Sequence, residues 1–441
     1  MDAATLLRPV VDATLGTDVP VRVECWDGSR LGPADAGVVV RFVTRRALRR
    51  LLWAPNQLGF ARAYVSGDVL IEGDLVDALT RLDALADPER GPGVRVGPDT
   101  RAAVAHAVVG LGAVGPPPRP PVEEIRLSGR RHARGRDAKA VSHHYDVGND
   151  FYALVLGPSM VYSCAYFEQP PSAEYTLEDA QQAKLDLVAG KLGLAPGMRL
   201  LDVGCGWGAF VRQAAREYGV TAVGVTLAEE QAAFARAAVA AEGLADRVEI
   251  RVQDYRDVAD GPYDAIASIG MAEHVGLSQL GAYAAHLHSL LAPGGRLLNH
   301  AISRRPGPPS SPRTGRTSFI DRYVFPDGEL HPLATTVDAL ESAGFEVRDV
   351  ESLREHYADT LRAWVANLEQ NWDQAVRLST PGRARVWRLY MAGSALAFQS
   401  NRLGVTQVLA VKPGPSGTSG FPRTRAPLLA DPPLRRRDGS G

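Results

Sequence analysis

Residues 199–218 read RLLDVGCGWGAFVRQAAREY, an apolar run that ends on an acid, passes through glycines at alternate positions and enters a helical repeat. Asp202 leads into Gly204, Gly206 and Gly208, with Cys205 and Trp207 between them. Glycine lets a backbone approach a ligand closely, and the helix behind it presents unpaired N–H groups. A strand–loop–helix of this kind is a nucleotide-type site. The same residues also satisfy G-x-G-x-x-A through Gly204, Gly206 and Ala209, so the glycines alone do not choose the nucleotide.

The flanking runs narrow the choice. An NAD site wants an acid at the end of the second strand; here TAVGVT ends on Thr226, and Glu229 and Glu230 already belong to the next helix. The third strand ends at Asp254-Tyr255 and the fourth at Ile269-Gly270. That pattern favours S-adenosylmethionine. From Met198 onward the apolar runs RLLDVG, TAVGVT, VEIRVQ, YDAIASIG, GRLLNHAI, EVRDVESL and TQVLAVK alternate with helical stretches. Alternation of this sort predicts an α/β fold with a doubly wound, mostly parallel sheet and ligands at the carboxyl ends of its strands.

The chain has 441 residues, too many for one core of common size, and several folding units are expected. Residues 1–87 mix short β-like runs (VPVRVECW, AGVVVRFV) with helical ones (RRALRRLLW, LVDALTRLDAL), predicting a small α+β domain. Residues 88–137 are rich in Pro, Gly and Arg and read as a linker; 138–412 form the main domain; 413–441 read as a disordered tail. A long insertion at about 356–402 repeats apolar and aromatic residues at helical spacing, which fits helices packed on the sheet and equally a cover over an apolar substrate.

With 49 Lys+Arg against 50 Asp+Glu, overall charge gives no footprint for nucleic acid. Three scattered cysteines exclude a disulfide framework or a thiolate metal site and point to a reducing, cytoplasmic location. No secretory signal or membrane span is read, the most apolar stretch being 102–115. Two basic segments, 126–139 and 304–316, could meet phospholipid headgroups.

Upstream of the sheet, SHHYDVGNDFYALVLGPSMVYSCAYFE (142–168) is dense in aromatics and reads as a clamp preceding the fold. Cys164 within it, Glu273 just past the fourth strand, His300 and Ile302 at the end of the fifth, and Tyr357 after the sixth converge on one edge of one sheet. The segments YDVGNDFY, MVYSCAYF, LDVGCGWG, VGVTLAEEQ, IGMAEHVG and REHYADTL resemble the cyclopropane-fatty-acyl-phospholipid synthase family, which includes the mycolic acid cyclopropane synthases. The resemblance covers about 140–412. LGFARAYVSGDVLIEGDL in the N-terminal region is similar to the lipid-binding domain of the longer bacterial members.

The resemblance implies a class I S-adenosylmethionine-dependent methyltransferase with a Rossmann-like seven-stranded sheet, a smaller N-terminal domain and a helical insertion. It implies cofactor contacts from Tyr162, Ser163, Asp202, Gly204, Cys205, Gly206, Gly208, Thr226, Gln231, Asp254 and Tyr255, and a bicarbonate held by Cys164, Glu273, His300, Ile302 and Tyr357. Arg256 after Asp254-Tyr255 departs from the family pattern. No metal is implied. The expected reaction is methyl transfer to the cis double bond of phospholipid acyl chains. The insertion looks closer to actinobacterial relatives that make 10-methylene chains, with cyclopropane formation and a non-catalytic lipid-binding protein as alternatives. A peripheral position on the inner membrane surface, a flavin- or nicotinamide-dependent reductase partner and room for a homodimer complete the expectations.

Overall fold

A computed structural model describes residues 1–15, 21–86, 98–125, 136, 147–307 and 318–424. The chain divides into two compact units. One comprises 1–126, 309–326 and 368–396, the other 127–308, 327–367 and 397–441.

In the first unit, β1 (Arg22–Glu24), β2 (Arg30–Leu31), β3 (Val39–Phe42) and β4 (Val69–Glu72) form a sheet ordered β2-β1-β3-β4. Asn56 caps the helix Gln57–Val65 by accepting from Leu58 and Gly59 N–H groups, which fixes where it starts. Within the stretch 88–137 lies a helix, Pro98–Gly110. The insertion forms helices Arg354–Gln370, Trp372–Leu378 and Pro381–Gln399, and its residues 368–396 group with this unit rather than with the large sheet. The reason is polar: Arg388 donates to the Tyr64 hydroxyl and to the carbonyls of Ile71 and Gly73 around β4, and Arg385 donates to Val65 O.

The second unit holds the seven strands read from the sequence: β5 (Arg199–Val203), β6 (Thr221–Thr226), β7 (Val248–Val252), β8 (Tyr263–Ile269), β9 (Leu291–Arg304), β10 (Glu346–Ser352) and β11 (Leu403–Val411). Their order is β10-β11-β9-β8-β5-β6-β7, parallel except that β11 runs antiparallel to both neighbours. Alternation decides which face each side chain joins. Leu200, Ala265, Leu298 and Leu409 pack on the side of the helix Leu177–Leu192, while Leu201, Ile266, Leu297 and Val408 pack on the side of the helix Leu280–Leu290. A capping box between Thr176 and Asp179 starts the first of these helices, and Gly193 in the left-handed conformation ends it. Order reverses between β5 and β8, so ligands are expected in the crevice beyond their carboxyl ends.

Of the tail, residues 413–424 are described: Phe421 lies under the guanidinium groups of Arg296 and Arg348, 4.8 and 5.0 Å from its centroid. Residues 425–441, Tyr145 and the basic residues of 126–139 other than Arg136 lie outside the described residues, as do 308–317. Arg136 forms an ion pair with Asp327. Among the described residues no helix is long and apolar enough to cross a membrane.

Candidate functional site

The loop after β5 is shaped by its glycines. Gly204, Gly206 and Gly208 all have φ between +54° and +83°, where an L side chain is strained. Gly204 and Cys205 N–H both donate to Val225 O, tying the loop to β6. A Cβ on Gly206 would meet nothing within 4 Å, so this turn opens onto a space that a ligand can enter; one on Gly208 would come within 3.0 Å of Ala235. Trp207 is buried, donates through Nε1 to Asn149 Oδ1 at 2.8 Å and packs 4.7 Å from the Tyr152 ring. The upstream segment therefore docks on the glycine loop through Asn149 and Tyr152. Tyr162 continues the aromatic wall, 5.7 Å from Tyr152 and 5.4 Å from Trp364.

Thr226 Oγ donates to Gln231 Oε1 at 2.9 Å and accepts from Ala228 N–H, so these two residues hold the turn after β6. Asp254 is engaged by Arg256, whose backbone and guanidinium N–H groups both donate to its carboxylate. The Tyr255 ring meets Tyr283 edge-on at 5.5 Å. The residue that departs from the family pattern thus draws Asp254 back onto its own loop.

The second constellation lies at the ends of β8 and β9. Glu273 Oε1 accepts from Ile302 N–H at 2.7 Å, and Gly270 N–H donates to His300 O. Leu353 connects the remaining two: its N–H donates to Val405 O, opposite Ile302 in the sheet, while its carbonyl accepts from Tyr357 N–H and from the Cys164 thiol. All five residues are brought together in one unit. Ile302 takes part through its backbone, and that amide is occupied by Glu273. Cys164 is fully buried, and burial pushes its thiol far above the ordinary range, so it is a neutral packing group here. Tyr357 packs against Trp364 and Phe398.

Two polar atoms of this constellation are buried without a hydrogen-bond partner, Glu273 Oε2 and His300 Nε2. A buried polar atom without a partner is costly unless a water or a ligand meets it. Burial raises the Glu273 carboxyl to about 7, the Ile302 N–H opposing it, and lowers His300 to about 3, with Lys184 and Lys191 adding to the effect. The glycine loop and this constellation are adjacent, since a Cβ on Gly204 would stand 3.6 Å from Met271 Sδ, two residues before Glu273.

Lys184 was not read from the sequence as a site residue. It is buried and donates to Ser163 Oγ at 3.0 Å, while Gln181, one turn earlier, donates to Ser163 O. Burial lowers Lys184 to about 8 and raises Asp202 to about 7, each charge partly offsetting the other's shift. The only sequence signal is a charged residue on the apolar face of AQQAKLDL. Lys184→Met is expected to weaken S-adenosylmethionine binding about tenfold by releasing Ser163; unchanged affinity in calorimetry would remove that role.

Residues 132–408 match the mycolic acid cyclopropane synthetase family. The chain belongs to that family. It is 44% identical over 414 residues to a probable fatty acid methyltransferase of Mycobacterium tuberculosis, covering 91% of this chain and 93% of the relative. A tuberculostearic acid methyltransferase from the same organism is 34% identical over 407 residues, covering 90% and 89%. Among solved structures, a mycolic acid cyclopropane synthase complexed with SAH and CTAB is 37% identical with a TM-score of 0.58, covering 62% of this chain and 97% of that one. The protein is thus an S-adenosylmethionine-dependent methyltransferase of the cyclopropane synthase family, with the fold that the alternating runs predicted. The non-catalytic alternative is set aside by the same findings.

Proposed function

We propose that the protein methylates the cis double bond of unsaturated fatty acyl chains in phospholipids and yields a 10-methylene branch. The observation that carries methyl transfer followed by deprotonation is the pair of buried orphan atoms, Glu273 Oε2 and His300 Nε2, beside a glycine loop open to a nucleotide. When bound, S-adenosylmethionine supplies an electrophilic methyl group and bicarbonate supplies a base. Glu273 Oε2 suits the hydroxyl of a bicarbonate, and a His300 N–H suits one of its oxygens. The loop glycines, Asp202, Ser163 and the Tyr162 wall suit the cofactor, with Thr226, Gln231 and the Asp254-Tyr255 turn beyond them.

An isolated alkene has no acidic proton, so its π electrons must be held against the methyl donor in a dry slot. Methyl addition leaves a cation on the neighbouring carbon. A 1,2-hydride shift followed by proton loss from the new methyl gives the exomethylene, whereas direct ring closure with loss of that proton gives a cyclopropane. The buried aromatics Tyr152 and Trp364 exclude water that would otherwise quench the cation. The likeness to a tuberculostearic acid methyltransferase, which extends over 90% of this chain, supports the methylene outcome. Proton NMR of lipids from a host making oleoyl phospholipids is expected to show exomethylene signals. High-field cyclopropyl protons alone would make the product a ring.

An exomethylene chain needs reduction to become a 10-methyl chain, so a flavin- or nicotinamide-dependent reductase partner belongs to this reading. A phospholipid surface does as well. In its support, Trp53 is 60% exposed and Val114 66%, and Trp53 Nε1 donates to Gly115 O beside Arg49. Trp53→Ser is expected to reduce co-sedimentation with anionic vesicles severalfold; undiminished sedimentation would exclude this patch.

A further inference from the structure

Strand register and donor chemistry together fix a proton on His300. Antiparallel pairing sets Gln407 opposite His300, and Glu351 opposite Gln407. The three side chains therefore stand side by side on the face where Leu298 and Leu409 meet the helix Leu177–Leu192. From the last turn of that helix Lys191 Nζ donates to Gln407 Oε1 at 2.8 Å and to the Glu351 carboxylate. An ammonium has donors only, so the amide atom facing it must be the oxygen. The amide nitrogen is then left facing His300 Nδ1, at 3.3 Å. It too can only donate. Nδ1 must accept, which leaves the ring proton on Nε2, the buried atom without a partner. Gln407 and Lys191 are themselves buried, so water does not compete for these bonds.

We propose that Lys191 and Gln407 are positioning residues that hold His300 as its neutral Nε2–H tautomer and so present a buried N–H donor to an anionic oxygen at the strand-end site. The opposite tautomer would turn a lone pair toward that oxygen and repel it. The role of this donor in turnover rests on the proposed function; the tautomer itself does not.

The test is two-bond 1H–15N correlation on the full chain labelled at histidine nitrogen, with His300 assigned by its disappearance in His300→Asn. The wild type is expected to show Nε2 protonated and Nδ1 bare between pH 6 and 8. In Gln407→Glu the new carboxylate accepts from Nδ1, so His300 is expected to carry a proton on Nδ1, with kcat lowered at least about tenfold and KM for S-adenosylmethionine within about twofold. Lys191→Met frees the amide to turn and is expected to give a mixture of tautomers, a second readout if Gln407→Glu does not fold. A wild type protonated on Nδ1, or a Gln407→Glu or Lys191→Met protein whose His300 resonances match the wild type, would overturn the proposal. A switched tautomer with full turnover would instead support the positioning and defeat the reading of His300 as part of the reaction site.

Discussion

Glu273→Gln is expected to lower turnover at least about 100-fold while leaving S-adenosylmethionine affinity within a few fold, because it alters the acceptor at Oε2 and not the glycine loop. The same substitution is expected to stabilise the ligand-free protein. Burial raises the Glu273 carboxyl from 4.5 to about 7. A folded-state value above the unfolded one means that this group's contribution is fully present below pH 4.5 and is lost as pH rises through about 7. Removing the charge should therefore raise the melting temperature at pH 8 and leave it little altered at pH 4.5, a gain on the order of a few kcal/mol at most. Melting curves at the two pH values, run beside turnover assays, check both halves. Poor cofactor binding by the variant, or a melting shift larger in acid than in base, would contradict the division of roles.

Gly206→Val is expected to abolish measurable S-adenosylmethionine binding. Two effects act together: Gly206 has φ +54°, which a β-branched residue avoids, and its missing Cβ opens onto the space proposed for the ligand. Backbone strain alone would lower stability by about 1–3 kcal/mol and leave affinity in the folded fraction intact. Calorimetry on folded variant protein separates the two, and affinity within threefold of the wild type would move the cofactor away from this loop.

The seven strands were legible because each is bounded by turn residues and most are followed by a helical repeat, and the glycine loop stood out because few other tasks need that spacing. Cys164, Glu273, His300, Ile302 and Tyr357 could be picked out because each sits at a strand end or in a motif shared with the family. What they touch was not legible. That Glu273 caps the Ile302 amide depends on how the loop after β8 folds back, and that Gln407 faces His300 depends on the register of β9 with β11. A sequence shows Gln407 as one polar residue in an apolar strand and Lys191 as one lysine near a helix end. Cross-strand pairing makes Gln407 and His300 neighbours, and packing of the helix Leu177–Leu192 on the sheet brings Lys191 to Gln407. The insertion was legible as helices, but contiguity in sequence hid that 368–396 packs with the N-terminal unit, since the arginines that hold it there find their acceptors about three hundred residues away.

Under the proposed function, a methyl group from S-adenosylmethionine joins an acyl double bond and then gives up a proton at the Glu273–His300 site. Incubation with oleoyl phospholipid and S-adenosylmethionine carrying a trideuterated methyl, followed by mass spectrometry of the acyl chains, tests this most directly. The expected product is a chain one carbon longer that retains two of the three deuterium atoms. A chain that retains all three, or no gain of carbon at all, would contradict it.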